Sequence, residues 1–151
     1  MTRARELADL LTGGQTIATD DNTTQLTLKS TDADASIGPR LDLTRDSASP
    51  ADADGLGRVR FLYDNDAGQE TEAIRITGLA TDVSDGTEDA TLQINTMVDG
   101  TIRERITLSP SETVFNEDSI DLDFRVEGNG NANALVVHGA DDFVGIGLGT
   151  P

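Results

Sequence analysis

The sequence contains no cysteine and no tryptophan, and aromatic residues make up only 3% of its 151 residues. The lack of thiols excludes a disulfide framework and every cysteine-based catalytic or metal site. With four Phe and one Tyr, the chain has few large side chains to bury, so we expect a thin core. A protein with a thin core gains stability from partner chains, and this favours an oligomer.

Long apolar runs and basic residues are also scarce. No stretch has the roughly 20 apolar residues of a membrane-spanning helix, so membrane insertion is not expected. No continuous apolar run follows the basic residues near the N-terminus, so this segment is a poor signal peptide. If the protein acts outside a cell, we expect it to leave the cell by lysis or assembly and not by general secretion. The net charge of −17 repels phosphate backbones, so no nucleic-acid partner is expected. The acidity fits a solvated surface that resists aggregation or adaptation to a saline medium.

The first 14 residues show the only helical periodicity in the chain. Leu7, Leu10 and Leu11 recur at helical spacing, and Gly13 and Gly14 end the pattern. A helix of about ten residues is marginal alone in water, so its apolar stripe needs a partner. That partner is the chain's own domain, another copy or another protein, and contacts between chains are favoured.

From about Thr16 onward, apolar and polar residues alternate, which is typical of half-buried antiparallel strands. The apolar sets predicted to share a face are Leu26/Leu28, Leu41/Leu43, Val59/Phe61/Tyr63, Ile74/Ile76, Leu92/Ile94, Ile102/Glu104/Ile106/Leu108 and Ile120/Leu122/Phe124/Val126. Asp99-Gly100 lies between two such runs and predicts a tight hairpin. No second helix is long enough for a parallel crossover.

These patterns predict an all-β fold class, in the form of an antiparallel β-sandwich-like domain with a short N-terminal helix and an extended β C-terminal arm. The predicted segments are a helix at 1–14, a connecting strand at 15–30, a β-domain at 31–112 and a β-stalk at 113–151. A lone strand pair is unstable in water. The last segment is therefore predicted to pair with other chains or to lie on the domain.

Parts of the chain resemble a known family. The pieces RDSASPADADGLGRVRF, NDAGQE and DGTEDATLQINT resemble a module common in tail fibres and other appendage proteins of tailed bacteriophages. The sequence from Val114 onward is similar to the segment that, in many phage fibres, leads into a C-terminal intramolecular chaperone of the endosialidase type. Its signature is a strand, a turn of the type GADDFVGIG and a Thr-Pro pair. The resemblance covers residues 38–109 and 114–151.

The resemblance implies a non-enzymatic, β-rich structural protein of the virion, intertwined as a homotrimer in a fibre or spike. Its partners would be other copies, other virion proteins of the tail, baseplate or capsid, and a host surface glycan or protein. The chaperone is missing from this sequence, so we expect that it is cleaved after assembly, lies outside the given chain or is not encoded. The predicted interface residues are Leu7, Leu10, Leu11, Ile120, Leu122, Phe124, Val126, Leu135, Val137, Phe143, Val144, Ile146 and Leu148.

Candidate catalytic residues are few. His138 is the only histidine, which supports no Ser-His-Asp or Cys-His arrangement. Asp121 and Asp123 would lie roughly 7 Å apart on one strand, a spacing that suits a glycosidase pair. Arg125 follows on the same face, however, and no aromatic residue on that face stacks a sugar ring. A solvated strand face is the favoured interpretation, and no catalytic residue is predicted.

No cofactor or metal is predicted either. The segment DNDAGQE resembles part of a calcium loop but lacks the twelve-residue length and the terminal bidentate Glu. Turn-forming Asp and Asn explain the same string without a metal. Three alternatives to the fibre hypothesis stay open: a head-decoration or head-fibre protein of the capsid, a calcium-dependent surface adhesin, and a polysaccharide depolymerase.

Overall fold

The computed structural model describes Gly14 and residues 16–147. Eight β-strands are the only regular elements among these residues, which confirms the all-β fold class. Within this part of the chain, no helix is long and apolar enough to cross a membrane. Apart from Gly14, the helix predicted at 1–14 lies outside the described residues.

The chain divides into two units, residues 1–42 and residues 43–151. Residues 16–42 form no strand, and neither does the stretch up to Ala53, so the strands predicted around Leu26/Leu28 and Leu41/Leu43 do not form. Alternation alone is insufficient here, because an extended segment needs a neighbouring strand to satisfy its backbone groups. Side chains bond locally instead: Asp21 Oδ1 accepts hydrogen bonds from the Thr23 amide at 2.9 Å and hydroxyl at 2.6 Å. The predicted domain boundaries stay predictions.

A five-stranded antiparallel sheet occupies the first part of the second unit. Its strands are β1 (Asp54–Asp64), β2 (Glu70–Asp82), β3 (Asp89–Val98), β4 (Thr101–Leu108) and β5 (Thr113–Phe115). The order in the sheet is β1-β2-β3-β4-β5, so each strand pairs with its neighbours in sequence. The predicted runs with Val59, Ile76 and Ile94 all lie within these strands.

The turns of this sheet follow their local chemistry. Asp99 and Gly100 have φ angles of 46° and 72°, and they join Val98 to its partner Thr101. Two positive φ angles in a two-residue loop are the geometry of a type I′ hairpin, so this prediction is confirmed. In the β1–β2 turn, Asn65 Oδ1 accepts hydrogen bonds from the amides of Ala67 and Gln69, each at 3.0 Å.

A β-bulge in β4 reverses one predicted face. Ile94 pairs with Ile106, but Asn95 pairs with Glu104, so Arg105 has no partner in the ladder. The extra residue moves Ile102 and Glu104 to the face opposite Ile106, and the prediction that they share a face is wrong. The alternation of apolar and polar residues along one strand does not reveal such an inserted residue.

A three-stranded antiparallel sheet follows, made of β6 (Phe124–Gly128), β7 (Asn131–His138) and β8 (Phe143–Ile146). The strand predicted to include Ile120 and Leu122 begins only at Phe124. Before it, the side-chain Nδ2 of Asn116 donates to the Ile120 carbonyl at 2.7 Å, and the Leu122 backbone amide donates to the same carbonyl at 2.7 Å. These contacts fold the segment into a turn, which prevents an extended ladder.

Among the described residues, the two sheets do not pack face to face as the predicted sandwich would. The two sheets meet where the rings of Phe115 and Phe124 pack at a centroid distance of 4.8 Å, and their faces do not stack. Ala80, 8% exposed, and Val136, 6% exposed, are the only buried apolar side chains among those described. The thin core expected from the composition is therefore confirmed.

Candidate oligomer interface

Six apolar side chains share one face of the three-stranded sheet. The register aligns Phe124 with Val137 and Val144, and Val126 with Leu135 and Ile146. Partners across a ladder point to the same face, so these six side chains lie together on it: Phe124, Val126, Leu135, Val137, Val144 and Ile146. We call these six residues the apolar stalk face. All six were predicted from the sequence as interface residues, and the structure brings them together.

The apolar stalk face is open to solvent in the single chain. Val126 is 45% exposed, Val144 64% and Ile146 79%, while Phe124 and Leu135 are half-buried. Fully burying a side chain of this size contributes about 1.5–3 kcal/mol. The exposed remainder therefore leaves roughly 1 kcal/mol per residue that burial against a partner would gain. A face of this kind on a sheet of three short strands is typical of a surface that needs a covering layer.

The other predicted interface residues lie elsewhere. Phe143 pairs with His138 on the opposite face, and their rings stack with centroids 5.4 Å apart. Ile120 and Leu122 line a cleft of about 200 Å³ together with Phe115 and Phe124. Leu7, Leu10, Leu11 and Leu148 lie outside the described residues. Six of the predicted interface residues thus lie together on one face. That this face forms an oligomer interface stays a prediction.

The five-stranded sheet carries a second, larger apolar face, which the sequence did not mark as an interface. The register forms a central row across all five strands, flanked by two shorter rows. The rows are Val59/Ile76/Ile94/Ile106/Phe115, Phe61/Ile74 and Leu92/Leu108. We call these nine residues the apolar sheet face. Seven of them are between 36% and 53% exposed, and Ile94 and Ile106 are half-buried.

The opposite face of the same sheet is polar and better covered. Thr77 is 3% exposed and Asn95 2%. Arg58 Nε donates to the Thr77 hydroxyl at 3.0 Å, and Gln93 Nε2 donates to Glu104 Oε2 at 2.8 Å beside Asn95. Long polar side chains therefore lie over this face, because their apolar stems cover the residues beneath while their charged ends reach water.

The candidate catalytic residues do not form a reactive pair. Asp121 and Asp123 precede β6, so the shared strand on which their predicted spacing depended is absent. Asp123 Oδ1 accepts a hydrogen bond from the Gly139 amide at 3.0 Å and lies 3.9 Å from His138 Nε2. Asp141 Oδ2 lies 3.4 Å from His138 Nδ1. These contacts hold the segment before β6 against the β7–β8 turn. They connect two parts of the fold and do not pair Asp121 with Asp123.

The acidic turns are held by their own hydrogen bonds. In the residues that the structure describes, no group of three or more His, Asp or Glu side chains is arranged to hold a metal ion. In the β2–β3 turn, hydrogen bonds from the side chain and amide of Ser84 lower the pKa of Asp82. The carboxylate of Asp82 thus acts as an acceptor for backbone and hydroxyl donors, as turn aspartates commonly do.

No protein-family model, curated protein or solved structure matched the chain. Two kinds of observation bear on the function: the resemblance in sequence and the two exposed apolar faces. The residues of the apolar stalk face were predicted from the sequence as interface residues, and those of the apolar sheet face were not.

Proposed function

We propose that this chain is a non-enzymatic structural subunit of a bacteriophage virion, in a tail fibre, spike or related appendage. In this proposal it assembles as a homotrimer, with other virion proteins and a host surface glycan or protein as its further partners. The pieces that resemble phage fibre modules support the virion assignment.

The observation that carries self-association is the apolar stalk face. Six apolar side chains share one face of a sheet with short strands, and the residues with the largest exposed fractions, Val144 and Ile146, lie on its outer strand. In a trimer, the same face of other copies would cover these side chains, with strands of three chains packed around a common axis. The closed β-structure would then supply the layer that a sandwich would have provided and that the described part of the chain does not.

Light scattering tests the oligomer, because a trimer has three times the 15.9 kDa mass of the chain. Val144→Asp is expected to weaken or dissociate the trimer, since it places a charge in an apolar contact. Arg125→Gln is the matched control, because Arg125 lies on the opposite face and the change alters the net charge by the same amount. A monomeric, cooperatively folded wild-type chain contradicts the proposal.

The location is tested on particles. Antibodies raised against the purified chain and attached to gold are expected to label the tail or its appendages in electron micrographs of purified virions. Labelling over the capsid would instead support the head-decoration alternative. Particles that contain the chain in neither place contradict the virion assignment.

A further inference from the structure

The apolar sheet face is large enough to be an interface in its own right. With seven of its nine side chains between 36% and 53% exposed, it leaves on the order of 600 Å² of apolar surface. The largest apolar patch on an ordinary monomer is about 300–600 Å², and a stable interface buries about 800 Å² on each partner. The face alone therefore supplies most of what one side of a stable interface needs.

Its charge distribution indicates which partner fits. The chain carries 28 acidic residues, yet none of them stands in the three rows that form this face. Two arginines reach the border of those rows at Thr96: Arg103 is aligned with Thr96 and lies 3.9 Å from Asp118, and Arg105 Nη1 donates to the Thr96 hydroxyl at 3.4 Å. Two copies with a net charge of −17 repel one another over most of their surface. Over the three rows themselves they can approach without bringing carboxylates together, and Asp118 at the border lies beside Arg103.

We propose that the apolar sheet face is the surface on which another copy of this chain docks, sheet against sheet. This assignment rests on the proposed self-association and adds the five-stranded sheet to the contact made by the apolar stalk face. The rows of one sheet pack against those of the next at the spacing of about 10 Å found between stacked sheets. The layer that completes the five-stranded sheet is thus supplied by a neighbouring chain.

Two adjacent residues of β1 give a matched test. Val59 lies on the apolar sheet face and is 41% exposed, whereas Arg60 lies on the polar face with its side chain 51% exposed. The chain has no cysteine, so Val59→Cys and Arg60→Cys each introduce a single thiol. In an open single chain, both thiols would react with a maleimide at similar rates. In the docked assembly, we expect Val59→Cys to react about tenfold more slowly, because the reagent needs access to the thiolate.

The outcomes separate this inference from the proposed function. If light scattering shows an oligomer and both thiols react equally fast, the docking assignment is overturned while self-association stands. If the wild-type chain is a monomer, both are overturned. A second pair, Val59→Asp and Arg60→Gln, alters the net charge by the same amount. Val59→Asp is expected to reduce the oligomer mass and Arg60→Gln to leave it unchanged, and equal masses for the two variants contradict the docking assignment.

Discussion

Replacing Gly139 with alanine is expected to release the segment before β6 from the end of the three-stranded sheet. A Cβ at Gly139 would lie 2.5 Å from the Leu122 nitrogen and 2.7 Å from its carbonyl oxygen. Both are backbone atoms, so the segment itself has to move. The Gly139 amide also donates to Asp123 Oδ1 at 3.0 Å, and a displacement breaks this bond. Overpacking of this kind costs about 1–3 kcal/mol.

Thermal unfolding and amide exchange measure the effect. The cost corresponds to a decrease in Tm of roughly 4 °C or more for a unit of this size, at constant protein concentration. The amides of Ile120 and Leu122, which donate to Asn116 Oδ1 and to the Ile120 carbonyl, are expected to exchange faster. Amide exchange shows whether the loss of stability is confined to this segment, whereas Tm reports the stability of the whole unit.

Gly128→Ala is the matched control, because it makes the same substitution in the same sheet. The nearest atoms to a Cβ there are Ala134 Cβ and the Asn131 carbonyl oxygen, both at the ordinary contact distance of 3.7 Å. Its effect is expected to stay within about 0.5 kcal/mol. Equal melting temperatures for Gly139→Ala and Gly128→Ala, with unchanged exchange at Leu122, would refute the close packing of Gly139 against Leu122.

Three further predictions concern the turns. Gly100→Ala is expected to destabilise the chain by about 1 kcal/mol, because φ at Gly100 is 72° and alanine is strained there; an unchanged urea midpoint contradicts this. The pKa of Asp82 lies below the ordinary 3.8 because of hydrogen bonds from Ser84, so its charge stabilises the folded turn above that pH. This stabilisation is lost as the pH falls through the lower folded value, and a carboxyl NMR titration midpoint at or above 3.8 contradicts it. A chelator is expected to leave Tm unchanged, because Asn65 Oδ1 already holds the DNDAGQE turn through two backbone amides; a lower Tm would favour the calcium-dependent adhesin.

The sequence predicted the local features of the second unit well. Asp99-Gly100 forms the expected hairpin, and the apolar pairs Ile74/Ile76 and Leu92/Ile94 share a face as the alternation indicates. These features depend on a few adjacent residues, since turn chemistry and side-chain direction are local properties. The bulge at Arg105 was missed because it depends on the pairing of two strands, which a single alternating run does not contain.

The predicted strands at Leu26/Leu28 and Leu41/Leu43 show the limit of the same pattern. They alternate as well as Ile74/Ile76, but no neighbouring strand pairs with them in the described chain. Whether an alternating run becomes a strand is decided by its hydrogen-bond partners, and those are set by the tertiary fold.

The candidate interface was predicted in part. Val126, Val137 and Val144 were predicted as interface residues because the β-stalk was expected to pair with other chains. They share a face of the three-stranded sheet. The apolar sheet face was missed for a different reason: residues such as Val59 and Ile94 were expected to be covered inside a sandwich of their own chain. The number of layers in a domain is not encoded in the alternation of any one strand, and the residues that the structure describes place no second layer over the five-stranded sheet.

Both sheets are meanders in which every strand pairs with the next one in sequence. No strand has to be inserted between two earlier ones, so each hairpin can close within its own chain, on the microsecond scale of hairpin formation. In the proposed assembly, the apolar layers would be completed only when chains meet, an event whose rate depends on their concentration. In the proposed assembly, the rate of forming the complete subunit would therefore depend on collisions between preformed single-layer sheets, and no chain would need to thread through another.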